Sequence, residues 1–108
     1  MTLYINDSRK YEKLLTVSNP EKVLYNAIKY FNDPNIKLFV SGSKENKYML
    51  YNDRMTKVNF GSIRYEDFTK HNDLKRRDRY LKRANNIRGH WEDDKYSANN
   101  LSINLLWN

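Results

Sequence analysis

Lys75, Arg76, Arg79, Lys82 and Arg83 follow one another at spacings of one, three and four residues, which on an α-helix gathers five cations onto one face. Guanidinium and ammonium groups in such a row suit the phosphates of a nucleic acid, because each phosphate neutralised releases counterions whatever the base sequence. The charge is focused as well as abundant. Of a formal net charge of +7, most sits between Lys70 and His90, where eight Lys or Arg face two acids, Asp73 and Asp78. A local positive field of this kind gathers polyanions, nucleic acid first and an acidic protein surface second. The plain alternative is a solvated helix face with no partner.

Other chemistry is poorly supplied. Cysteine is absent, and His71 and His90 sit in polar surroundings with no nucleophile motif beside them, so acyl transfer through an activated Ser or Cys is excluded. His71-Asn72-Asp73 and His90-Trp91-Glu92-Asp93-Asp94 could supply metal ligands, and Glu66-Asp67-x-x-Lys70 bears a superficial likeness to magnesium-dependent nucleases, but helix capping by Asp73 and ion pairing of Glu66 and Asp67 with nearby arginines explain the same residues, and no metal or cofactor is expected. The three glycines, at 42, 61 and 89, are too scattered for a phosphate-cradling loop. Tyr and Trp can stack on unpaired bases, yet tyrosine in a small sheet is more often core, so single-strand binding does not follow from the sequence. The expected protein is therefore not an enzyme, and duplex DNA is favoured over RNA as its partner.

The elements that must carry these residues can be read from periodicity and caps. In the opening stretch Leu3 and Ile5 alternate as in a strand, while Asp7 is placed to cap a short helix through Leu15. Ser18-Asn19 and Pro20 open a clearer helix with Val23, Leu24, Ala27, Ile28 and Phe31 on one face, closed by Asn32-Asp33-Pro34. Ile36–Val40, Tyr48–Tyr51 and Met55–Phe60 read as strands of an antiparallel meander, and Tyr48–Tyr51 is apolar on both faces. Tyr65–Thr69 makes a helical turn. Asn72 or Asp73 then caps a helix over Leu74–Asn86 whose apolar side holds Leu74, Tyr80, Leu81 and Ala84, with the five cations opposite as an outward strip.

Arg77 projects from that apolar side. A buried guanidinium is costly unless paired, which predicts a structural ion pair with Asp67 or Glu66. At the far end, Leu101–Asn108 closes the core or, on a sharper reading, offers Leu105-Leu106-Trp107 as a docking peptide.

With 108 residues, 39% hydrophobic and 14% aromatic, the chain suits a single α+β domain over 1–108: a small antiparallel sheet of three to four strands, a helix in the N-terminal half and a basic helix in the C-terminal half. No segment nears the ~20 apolar residues of a membrane span. The lack of cysteine permits a reducing compartment, so an intracellular place is expected.

Lys57-Val58-Asn59-Phe60-Gly61, Tyr65-Glu66-Asp67-Phe68-Thr69-Lys70-His71, Asp73, Arg76-Arg77, Tyr80-Leu81-x-Arg83, Trp91 and Leu105-Leu106-Trp107-Asn108, in that order, are a composite pattern from about Tyr48 to Trp107. The pattern resembles a family of small, basic, functionally uncharacterised proteins of large nucleocytoplasmic DNA viruses, including the giant viruses of protists and algae. The resemblance supplies no site residues. It implies a viral origin and a place in the virion or inside the infected cell, in cytoplasm or nucleus, either with packaged DNA or cementing the capsid. Two functions follow from residues and resemblance together. One is a non-enzymatic nucleic-acid-binding protein that contacts phosphates through Lys75, Arg76, Arg79, Lys82 and Arg83. The other is an interaction module that docks its basic face or Trp-containing tail on a viral or host protein.

Overall fold

Asp7 divides the opening stretch. Its carboxylate accepts from the backbone N–H groups of Arg9 and Lys10 at 3.0 and 3.3 Å, which starts a helix and ends the strand before it. Both sequence readings of this stretch are therefore realised, one after the other. In the computed structural model, which describes residues 2–108, they are β1 (Thr2–Tyr4) and α1 (Ser8–Leu15). Asn19 caps α2 (Pro20–Phe31), with proline in its first turn, and Asn32 closes it in the left-handed conformation at φ 50°.

The chain then forms β2 (Lys37–Val40), β3 (Asn46–Tyr51) and β4 (Lys57–Ser62), the antiparallel meander expected from the sequence. Asn52 shapes the turn between β3 and β4 by accepting from Arg54 and Thr56 N–H, both at 2.9 Å, which starts β4 two residues later than periodicity suggests. The sheet is not wholly antiparallel. β1 adds at its edge parallel to β2, pairing Leu3 with Leu38, so the order β1-β2-β3-β4 makes a mixed sheet. The two helices between β1 and β2 bring the chain back in the same direction, as a parallel pair requires. The class is α+β.

Asp67 caps the short α3 (Phe68–His71), and Asp73 caps α4 (Leu74–Asn85) by accepting from Lys75 and Arg76 N–H at 3.0 and 3.2 Å. A single turn at Trp91–Asp93 leads to α5 (Ala98–Leu101), which runs on into a wider helical turn over Ser102–Leu106. Leu101, Leu105, Leu106 and Trp107 lie in the core with Leu14, Val23, Ala27, Leu38, Leu50 and Phe60. The tail is thus core and not a free docking peptide. Asn26 of α2, itself buried, ties it down by donating to the Leu105 carbonyl at 2.9 Å.

Tyr48, Met49 and Leu50 of β3 are buried whichever face they take, as their apolar run predicts, and Lys47 is buried with them, while Tyr51 at the strand's end is half-buried. Gly61 in β4 allows a close approach of sheet and tail. Its φ is +77°, and a Cβ there would stand 2.6 Å from Leu106 Cδ1.

Candidate nucleic-acid interface

Asp73 sets the start of α4, and four contacts then fix how it lies. Tyr80 stacks on Trp107 with ring centroids 4.2 Å apart and planes at 9°. Arg77 Nε donates to the Trp107 carbonyl at 2.7 Å. Asn99 of α5 donates to the Ala84 carbonyl at 3.0 Å, and Arg76 pairs with Glu66 at 3.2 Å. A helix held at its first turn, middle and last turn presents its outward side chains from a rigid base.

Two expectations about α4 need correction. Arg77 does not pair with Asp67 or Glu66: it leaves α4 on the side of the tail, where the Trp107 carbonyl and the ring of Phe68, 5.4 Å from its guanidinium carbon, satisfy it. Asp67 pairs instead with Lys47, whose Nζ lies 3.2 Å from Oδ2, both side chains being almost wholly enclosed. Leu74, placed by periodicity on the packed side, is 66% exposed. It opens the helix before α4 reaches the tail, so nothing covers it, whereas Tyr80, Leu81 and Ala84 further along do pack.

The five cations do not form one uniform strip. Arg76, Arg79 and Arg83, at successive turns, line a cleft of about 670 Å³, while Lys75 and Lys82 stand exposed outside it. The cleft floor is the end of the β3–β4 hairpin, including Lys47, Asn59 and Gly61, and the wall facing α4 is the tail, from Ala98 to Trp107. Tyr65, 67% exposed, stands at its edge.

The charges of the cleft are unequal. Arg76 is neutralised by Glu66, and Glu45 is engaged by Arg64 at 3.2 Å. Arg79 and Arg83 have no carboxylate partner among the described residues. Beneath the floor, burial pushes the Lys47 ammonium below its usual value, partly offset by Asp67. A network continues inward from Asp67 through Thr69 to Ser18, and Ser18 meets the Tyr48 hydroxyl at 2.7 Å. Burial raises the Tyr48 phenol far above its ordinary value. These groups pair with one another and brace the floor, with Asp67 Oδ2 held by the Lys47 ammonium alone and by no hydrogen bond.

Sequence reasoning placed the cations but missed Lys47, Asn59 and Tyr65. One signal was available for the first of these, since a lysine adjoining an apolar run that is buried on both faces must find a carboxylate.

Residues 36–84 match the model of DUF5754, a family of unknown function. That stretch runs from β2 through most of α4, so it holds the cleft floor and all five cations but not the tail that forms the facing wall. No curated protein and no solved structure matches the chain. Among the described residues no group of three or more His, Cys, Asp or Glu is placed to hold a metal ion, and no helix is long and apolar enough to cross a membrane.

Proposed function

We propose that this protein binds nucleic acid without catalysing a reaction on it, contacting phosphates through α4. The observation that carries the reading is the pair Arg79 and Arg83, one turn apart on a braced helix and uncompensated by any carboxylate among the described residues, with Lys75 and Lys82 exposed beside them. Guanidinium groups one helical turn apart suit bidentate contact with successive phosphates, and the exposed lysines add long-range attraction. Arg76 serves chiefly to tie α4 to Glu66. The sequence resemblance to viral proteins favours a place with the packaged genome or inside the infected cell.

Anisotropy of a labelled duplex, titrated at several salt concentrations, tests this. Affinity is expected to fall by about 0.9 log units per log unit of salt for each phosphate neutralised. The combined variant Lys75→Glu, Arg79→Glu, Lys82→Glu and Arg83→Glu should abolish binding. A salt-independent affinity, or a variant that binds as well as wild type, overturns the reading.

A further inference from the structure

The sheet has two unlike faces. Along β2, Leu38 and Val40 point into the core, so Phe39 lies on the other face. There it stacks on Tyr4 with centroids 4.8 Å apart and meets the edge of Tyr51 at 5.6 Å. Tyr4 is 38% exposed, and Phe39 and Tyr51 are only partly covered. By strand alternation and register, the exposed Lys37 and Lys57 flank these rings on the same face. The same alternation puts Asn59 and Lys47 on this face, at the end where the cleft begins. Asn59 accepts from Ser41 Oγ at 2.5 Å through its carbonyl, and its amide nitrogen is unpartnered among the described residues.

We infer that the cleft holds one nucleotide of a single-stranded nucleic acid, whose neighbouring bases run on over the face bearing Tyr51, Phe39 and Tyr4. The inference rests on the nucleic-acid reading and specifies the form of strand. Three observations meet in it. The cleft, at about 670 Å³, falls in the size range of small-molecule pockets, roughly 300–1,000 Å³. Its uncompensated charge is a pair of arginines, whose guanidinium forks can each bond two oxygens of a phosphate. Its edge and the face beyond it carry aromatic rings between lysines, the combination on which unpaired bases stack while the backbone is tracked. A duplex keeps its bases stacked inside and offers rings neither to a cleft nor to a sheet face, so it would use only the outer rim of α4.

The test sets two double variants of equal charge against each other, with a labelled twelve-nucleotide oligothymidylate and a twelve-base-pair duplex as probes (about one OB-fold site in length). Arg79→Gln with Arg83→Gln removes two cations inside the cleft, and Lys75→Gln with Lys82→Gln removes two outside it. The first pair should weaken the single strand by about tenfold or more, the usual loss for charge-assisted hydrogen bonds, and the second only a few-fold. Ala98→Trp narrows the cleft without changing charge and should weaken the single strand while leaving the duplex within about twofold. Tyr4→Ala should also weaken the single strand selectively. Circular dichroism of each variant checks that it folds, and the two glutamine pairs carry the test if Ala98→Trp does not. Equal losses from both glutamine pairs, with the duplex bound as tightly as the single strand, overturn the inference but leave the nucleic-acid reading standing. Binding of neither probe by wild type at low salt overturns both. Displacement of the oligonucleotide by polyglutamate as readily as by unlabelled oligothymidylate also overturns the inference, by marking the cleft as a site for acidic protein.

Discussion

Lys47 Nζ lies 3.2 Å from Asp67 Oδ2, with 3% and 0% of the two side chains exposed. The pair joins β3 to the cap of α3. Asp67 also receives N–H from Thr69 at 3.0 Å through its other oxygen, and its own N–H donates to the Val17 carbonyl at 3.0 Å. One residue therefore sets the sheet, α3 and the segment after α1 relative to one another.

Lys47→Met is expected to cost about 3–5 kcal/mol, because it leaves the Asp67 charge buried without its partner. Asp67→Asn in the same chain should recover part of that loss, since the stranded charge is then gone. Urea denaturation of the single and double variants measures both. A loss below about 1 kcal/mol for Lys47→Met would show that water reaches the pair.

Gly61→Ala should destabilise the fold by more than the ~1 kcal/mol usual for a glycine at positive φ, because the new methyl also meets Leu106 Cδ1 at 2.6 Å. Adding Leu106→Ala should return less than its own cavity cost when made in the Gly61→Ala background. Thermal melts of the four combinations give the coupling.

Trp107→Ala removes a side chain only 9% exposed and the ring against which Tyr80 stacks. About 3–5 kcal/mol should be lost, judged by other buried aromatic truncations. By contrast, Leu74→Ser should change stability by less than ~0.5 kcal/mol despite its place in an amphipathic pattern, because the side chain is already in water. The same denaturant series checks both.

His71 gives the fold a dependence on acid. Burial, and then the nearby Arg76, push its pKa below the ordinary 6.5, while Glu66, Asp73 and Asp67 pull the other way. The unfolded chain therefore takes up this proton at higher pH than the folded one, so stability should fall as pH drops below about 6.5 and be unaffected above it. Nδ1 accepts the Asp73 N–H at 2.9 Å, which requires that nitrogen to be unprotonated, and Nε2 is buried without a hydrogen-bond partner. Asp73, whose carboxyl is held below its usual range first by the Arg76 N–H, adds a separate loss only in stronger acid. Denaturation midpoints of wild type and His71→Phe between about pH 7 and pH 5 test this. An unchanged slope in the variant rules His71 out as the source.

Much of the scaffold was legible because its signals are local. Asp7, Asn19 and Asp73 cap helices through atoms two or three residues away, and the alternation of Leu38, Phe39 and Val40 is a property of one strand. Arg77 shows where such reasoning stops. Its helical position announced a need for a partner, but the partner is a carbonyl 30 residues later, and nothing near Arg77 distinguishes that carbonyl from Asp67.

Charge, helix caps, strand periods and the cationic face of α4 are functions of residues within one or two turns of each other, so the sequence determined them by itself. The parallel addition of β1, the exchange of Arg77 for Lys47 as the partner of Asp67, and the turning of Arg79 and Arg83 into a cleft were decided by tertiary structure. Each depends on which distant segment arrives alongside. That is settled by how the tail, the sheet and α4 share one core, and by the cost of leaving any buried charge or carbonyl without a partner.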